Sequence, residues 1–368
     1  MLFVGTLCVC FAVSLFFREN RLVGLVALMV FAYLAGGANP VTTIDYPVYL
    51  NHYNMLGWET SPFEKGYTEL SLFFSNHGFD YAQFRLIFAF LAFIILFISV
   101  CMFTKNVALF AGLYGVSVFF NDAIQIRNLM MIALVVLGAA LLSRENIALK
   151  IGGIIALLVA TQFHDLGFVF LIILGLLGFI KIEILRKYYK YVVYMLFGLG
   201  IIFTSASSAS VVQLFSSFLI RFSSRSDSAS NVITSFGRGN STSTTIMVWL
   251  MLILFSLALT MLVNSANRLG MNQGQLKYLF VGSAIAMLVA FLIVLAPDYS
   301  RISRNAFLFF LILLSKVVEE KKKIKISEKN IAKIFLVLSV LVFTTYENTV
   351  IWGPTYIDSI PYLAKIKK

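Results

Sequence analysis

The chain has 368 residues, a formal net charge of +12, 60% hydrophobic residues and only 12% charged ones. A soluble domain carries about 25% charged residues, so this composition excludes one whose surface must stay wet. Apolar runs approach the roughly 20 residues that cross a hydrocarbon core, which points to helical spans rather than barrel strands.

The runs and their breaks predict an all-α polytopic membrane protein, a single domain over 1–368 with about twelve spans. The first two lie near 2–17 and 21–37. The N-terminal run lacks a basic leader and a small-residue cleavage site, and so reads as a retained span. Residues 38–84 form a first long extracytoplasmic loop, in which Gly66 to Phe79 is apolar on one side only and reads as a re-entrant or interfacial helix. Six spans follow near 85–103, 106–120, 127–143, 147–163, 165–180 and 190–208. A second, Ser-rich extracytoplasmic loop covers 204–245, with Val211 to Phe222 at helical spacing for a headgroup-layer helix. The last four spans lie near 246–264, 278–296, 303–318 and 331–346. Neither a Walker-type loop nor a dinucleotide fingerprint occurs. Cys8, Cys10 and Cys101 lie in or beside apolar runs, without metal-ligand spacing.

Charge orients the spans, because cytoplasmic loops of membrane proteins carry the excess of Lys and Arg. With both termini outside, the inner loops hold 18 of the 29 basic residues but only 6 of the 17 acidic ones. The high net charge thus follows from topology, and a nucleic-acid partner is not implied.

Cation type separates the two sides. Inner loops are mainly lysine, whereas Arg85, Arg127, Arg221, Arg225, Arg238, Arg301 and Arg304 lie outside. Topology needs only positive charge, but a guanidinium fork grips phosphate oxygens bidentately and is less costly to dehydrate. A lipid-linked diphosphate in the outer leaflet fits that preference. Arg127, Arg301 and Arg304 are the first candidates to bind it, with Arg221, Arg225 and Arg238 assisting if the second loop folds over. Arg301 and Arg304 are one helical turn apart and could share an anion or contact lipid headgroups. For a general base, His164 and the adjacent Asp165 rank ahead of Glu64 and Asp45, because imidazole titrates near neutrality. Loop carboxylates are otherwise simply solvated. His52 and His77 read as surface residues, since their spacing matches no zinc pattern. The loop aromatics, Tyr46 and Tyr67 among them, either form an interfacial belt or stack on sugar rings. No cofactor and no resident metal is expected.

DYPVYLNHY (Asp45–Tyr53), EKGY (Glu64–Tyr67), IQIRNLMMIAL (Ile124–Leu134), TQFHDLGFVFL (Thr161–Leu171) and the late SRISRNAFLFF together resemble, in order and spacing, the EpsG-like family of Wzy-type exopolysaccharide and O-antigen polymerases. Asn128 stands where the family commonly has Gln after its arginine. The resemblance implies an enzyme of the bacterial plasma membrane with an extracytoplasmic active face. Its substrate would be an oligosaccharide repeat on undecaprenyl diphosphate, and a flippase and a chain-length regulator would be its working partners. The growing chain is transferred from its diphosphate carrier to a hydroxyl of the next repeat. Two alternatives remain from the sequence. A flippase or other transporter would want ionisable groups at mid-membrane and at both mouths, whereas an O-antigen-type ligase would share the donor.

Overall fold

The computed structural model describes residues 2–205, 242–295, 297–320 and 328–352, and every regular element among them is helical. In chain order these are α1 (Leu2–Phe16), α2 (Arg21–Gly36), α3 (Tyr46–Asn54), α4 (Lys65–Asn76) and α5 (Tyr81–Phe103). Next come α6 (Val107–Ser117), α7 (Phe119–Ile124), α8 (Ile126–Leu142), α9 (Ile147–Ala160), α10 (Leu166–Leu177) and α11 (Ile182–Ser205). After 206–241 follow α12 (Thr242–Arg268), α13 (Gln273–Ala284), a 3-10 turn at Ile285–Leu288 and α14 (Val289–Leu295). A second 3-10 turn at Pro297–Tyr299 leads into α15 (Ser300–Glu320), and α16 (Glu328–Trp352) is last.

Four helical stretches are long and apolar enough to cross a membrane: Tyr81–Phe103, Thr242–Arg268, Gln273–Leu295 and Asn330–Glu347. Six shorter apolar helices, α1, α2, α6, α8, α9 and α10, have 10–17 residues. At about 1.5 Å per residue they fall short of a core about 30 Å thick, so length and composition alone establish fewer crossings than the twelve read from apolar runs. Several predicted boundaries move. The first long loop holds two helices rather than one, and the predicted span 106–120 breaks at Val118. Likewise 278–296 is interrupted by the 3-10 turn, and α11 begins before residue 190. Val211–Phe222, Arg221, Arg225 and Arg238 lie outside the described residues.

Short polar residues set the helix starts. Asp80 accepts from the Gln83 N–H while the Gln83 side chain accepts from the Asp80 N–H, a complete capping box for α5. The side chains of Asn106, Asn146 and Asn272 cap α6, α9 and α13 by accepting from the N–H groups of Leu109, Ala148 and Gln275. The centre of the bundle is α8, along which only Leu137 and Leu141 escape full burial. Its crossing with α9 is close because a Cβ on Gly153 would lie 2.8 Å from the Gly138 carbonyl oxygen, an approach that only small residues permit.

Contacts sort the connections into two ends. At the lysine-rich end Asn20 donates to Asn106 Oδ1 at 2.8 Å, Thr104 donates to Glu319 at 2.7 Å, and Arg144 and Gln275 both donate to the Met102 carbonyl. At the other end Arg85, fully buried, donates to the carbonyls of Ala35 and Ala123 and to the Tyr81 hydroxyl, which ties α2, α5 and α7 together. The segments that the charge count puts outside therefore meet one another, and so do those it puts inside.

Helix α4 lies against the turn between α9 and α10. The Tyr67 N–H donates to the Gln162 carbonyl at 3.2 Å, and a Cβ on Gly66 would stand 2.7 Å from Gln162 Cβ and 2.8 Å from its carbonyl oxygen. Gly66→Ala must push α4 away and should cost about 1–3 kcal/mol, as overpacking does. Gly198→Ala, where nothing lies within 4 Å, should be neutral or slightly stabilising. Thermal unfolding of the two variants in detergent checks this, and equal melting temperatures would refute the close packing.

Candidate functional site

The first turn of α8 places Arg127 at the loop end of the bundle, 6% exposed. Gln125 is non-helical and separates α7 from α8, so Arg127 enters the first loop's territory from the most enclosed helix. Its Nη1 is paired with Glu64 Oε2. The guanidinium carbon lies 3.9 Å from the Phe63 ring centroid and 5.4 and 5.7 Å from those of Tyr49 and Tyr67. Three ring faces and one carboxylate thus surround a single cation. Arg127 also hydrogen-bonds the Tyr49 side chain, while its Nε and the Tyr67 hydroxyl have no hydrogen-bond partner among the described residues.

Glu64 is 1% exposed, against the expectation of a solvated loop carboxylate. Besides Arg127 it accepts from the Asp165 backbone N–H at 3.2 Å, and so joins α8 to the α9–α10 turn. In that turn His164 is also buried, and its Nδ1 accepts from the Leu166 N–H at 3.2 Å. A neutral ring in that contact carries its proton on Nε2. His164 and Asp165 therefore sit beside the Arg127–Glu64 pair, and the Nδ1 lone pair is already engaged.

Asp45, half-buried at the start of α3, lies within electrostatic reach of arginines from three helices: Arg301 of α15, Arg127 of α8 and Arg85 of α5. Burial pushes its carboxyl above the ordinary aspartate range, and these cations, Arg301 foremost, oppose that shift. Arg301 keeps a partly exposed side chain and donates to Asp298 at 2.9 Å. Tyr46 lies edge-on to Tyr81 at 4.9 Å and within 5.3 Å of the Arg85 guanidinium.

Arg304, one turn beyond Arg301, lies in another environment. It is 4% exposed and hydrogen-bonds Asn121, and it lines a small void with Ser303, Thr344 and Glu347. Beside it Asn128 and Asn305 exchange side-chain amide hydrogen bonds at 2.8 Å in both directions. Asn128 also approaches Asp122 at 3.3 Å, and the Tyr114 hydroxyl donates to Asp122 at 2.8 Å. The predicted residues thus divide: Asp45, Glu64, Arg127, His164, Asp165 and Arg301 gather at one surface, and Arg304 belongs to a buried polar layer behind it.

Sequence reading missed Phe63, Asn121, Asp122, Asn305 and Glu347. The polar run from Asn121 to Asn128, set between apolar stretches, was the available signal for part of this layer. His52, expected on the surface, is 7% exposed and stacked 5.8 Å from Tyr67. Burial, with Arg127 nearby, lowers its pKa to about 4, so it is neutral at pH 7. His77 is exposed as expected. Among the described residues no group of three or more His, Cys, Asp or Glu side chains is placed to hold a metal ion.

No curated protein and no solved structure matches the chain. The sequence model of the EpsG family matches residues 21–362, which include all of the residues placed above. Taken with the ordered motifs that build this site, that match over nearly the whole length means that the chain belongs to the EpsG family.

Proposed function

We propose that the protein is a membrane glycosyltransferase that polymerises oligosaccharide repeats carried on a polyprenyl diphosphate, working at the extracytoplasmic face of a bundle with about twelve spans. EpsG membership supports a polysaccharide-polymerase-like activity in a multi-pass membrane protein. The observation that carries the finer reading is the convergence of Arg127, Arg301 and Asp45 at the bundle end that charge orients outward.

In this reading Arg301, the most accessible of these arginines, binds the carrier diphosphate, and Arg127 adds its positive charge from the enclosed position behind it. Their charge stabilises the leaving diphosphate as the anomeric carbon–oxygen bond breaks. The acceptor hydroxyl attacks from the opposite face and inverts the centre, and its proton passes to a base. Asp45 suits that task better than His164, because the His164 Nδ1 lone pair already accepts the Leu166 N–H. A half-buried carboxylate of raised pKa is also a stronger base than a solvated one. Glu64 keeps Arg127 aimed rather than reacting.

Replacing Arg127 or Arg301 by Ala should leave the protein inserted, abolish polymer and build up single-repeat lipid outside, read by mass spectrometry of lipid-linked glycans. Arg127→Lys should rescue poorly, because an ammonium cannot fill a fork among three rings. Normal polymer from both Ala variants would sink the diphosphate assignment, and accumulation only on the inner face would instead indicate a flippase. Asp45→Asn should lower kcat by about 10²–10⁴-fold. With the pKa raised, wild-type activity should fall on acidification at a pH above the ordinary aspartate range. An unchanged acid limb in Asp45→Asn would remove Asp45 from the role.

A further inference from the structure

Between α3 and α4, on the side of His52 away from the Arg127 cage, lies a groove of about 450 Å3. Small-molecule sites span about 300–1,000 Å3, so the groove has room for a di- or trisaccharide. Its polar lining consists of Asn51, His52, Glu59, Thr60, Ser61 and Thr68, and no lysine or arginine contributes to it. A cation-free wall is unsuited to phosphate, unlike the neighbouring site. Met55 and Leu56 supply apolar surface in the same wall, and that mixture of hydroxyl, amide and apolar groups matches the two characters of a sugar ring. Trp58, in the chain between the lining residues Gly57 and Glu59, is 86% exposed.

His52 lines this groove, is more than nine-tenths buried, and its Nε2 has no hydrogen-bond partner among the described residues. Its Nδ1 lies 3.4 Å from the Ser61 hydroxyl, which is itself 2.6 Å from the Thr68 hydroxyl and accepts the Phe63 N–H. The Nδ1 edge of the imidazole is thus held at the groove wall, and Nε2 is enclosed behind it. His52 and Phe63 are also the partition between the groove and the cation: their rings are 4.6 Å apart, and Phe63 lies under Arg127.

We propose that this groove is a saccharide subsite, in which Trp58 stacks on a sugar ring and Asn51, Glu59 and Thr60 hydrogen-bond its hydroxyls, holding the glycan whose end reacts beside Arg127. This rests on the polymerase reading. A neutral oligosaccharide is recognised there apart from its lipid and its diphosphate.

The test uses the full chain in nanodiscs and the free oligosaccharide released by mild acid from the host's polyprenyl-linked pool, with binding followed by saturation-transfer NMR. Saturable binding is expected for the wild type, at least tenfold weaker in Trp58→Ala and in Asn51→Ala, and retained in Arg301→Ala. Polymer formation by the wild-type preparation, supplied with the intact polyprenyl-diphosphate-linked repeat as donor and acceptor, is read in parallel. Absence of binding by the wild type, or wild-type binding by both groove variants, overturns the subsite. If Trp58→Ala weakens only association with phospholipid vesicles, Trp58 is a membrane anchor and the subsite is again overturned. Binding with the expected pattern but no polymerisation overturns the polymerase reading and leaves the saccharide subsite standing.

Discussion

One buried ion pair organises the loop end of this bundle. Arg127 and Glu64 are 63 residues apart in the chain and both nearly inaccessible to water. Dehydrating two charges costs several kcal/mol each, and a buried pair is often no more stable than an apolar replacement of similar volume. The pair is therefore poorly explained as a device for stability alone. It is better explained by what it fixes: a cation at the first turn of the central helix, with its plane set by Phe63 and its orientation set by Glu64. Every other feature of the site is placed relative to that cation. Helix α4 brings Glu64 at its N-terminus, the close approach at Gly66 brings the α9–α10 turn against α4, and that turn lends the Asp165 N–H back to Glu64.

The arrangement separates two tasks that a reacting surface on a membrane has to perform. In the proposed reaction, Arg127, held among its rings and Glu64, would provide charge whose reorganisation cost is met during folding rather than during reaction. Asp45 is the complementary element, since it lies within electrostatic reach of Arg301, Arg127 and Arg85 yet has its carboxyl pushed upward by burial. Attraction to three cations favours the ionised form and dehydration disfavours it, so the group is left more basic than a carboxylate in water. The same competition acts oppositely on His52, where burial and Arg127 both disfavour the charged ring. A neutral imidazole is thereby kept between the cationic site and the groove on its other side.

Much of this was legible in the residues. Composition fixed the all-helical membrane class, and the contrast between arginine outside and lysine inside led to Arg127, Arg301 and Arg304. The ordered motifs named Glu64, His164 and Asp165, which the fold gathers. What could not be read was depth. Glu64 and His52 lie in a polar loop and look solvated by pattern, but α3 and α4 fold down over the end of α5 and bury them. Arg301 and Arg304 look equivalent because a three-residue spacing places them on one helix face. Advance along α15 nevertheless carries Arg304 about 4.5 Å deeper, where Asn121 takes its hydrogen bond. Periodicity reports direction around a helix and is silent about distance from the membrane surface.

That difference in depth gives the inner polar layer a physical role. Arg127 and Asn128 are adjacent on α8, and Arg304 and Asn305 are adjacent on α15. The reciprocal amide bonds between Asn128 and Asn305 therefore lock the register of the two helices that carry Arg127 and Arg301. An amide pair satisfies both of its partners without net charge, so it fixes that register at less dehydration cost than a second ion pair would. A slip by one residue would separate both bonds and leave four buried polar groups unsatisfied, whereas purely apolar packing between α8 and α15 would tolerate it more readily. The spacing of the two outer arginines is thus set one layer beneath them, by neutral groups whose only visible signature in the chain is an asparagine after each of two arginines.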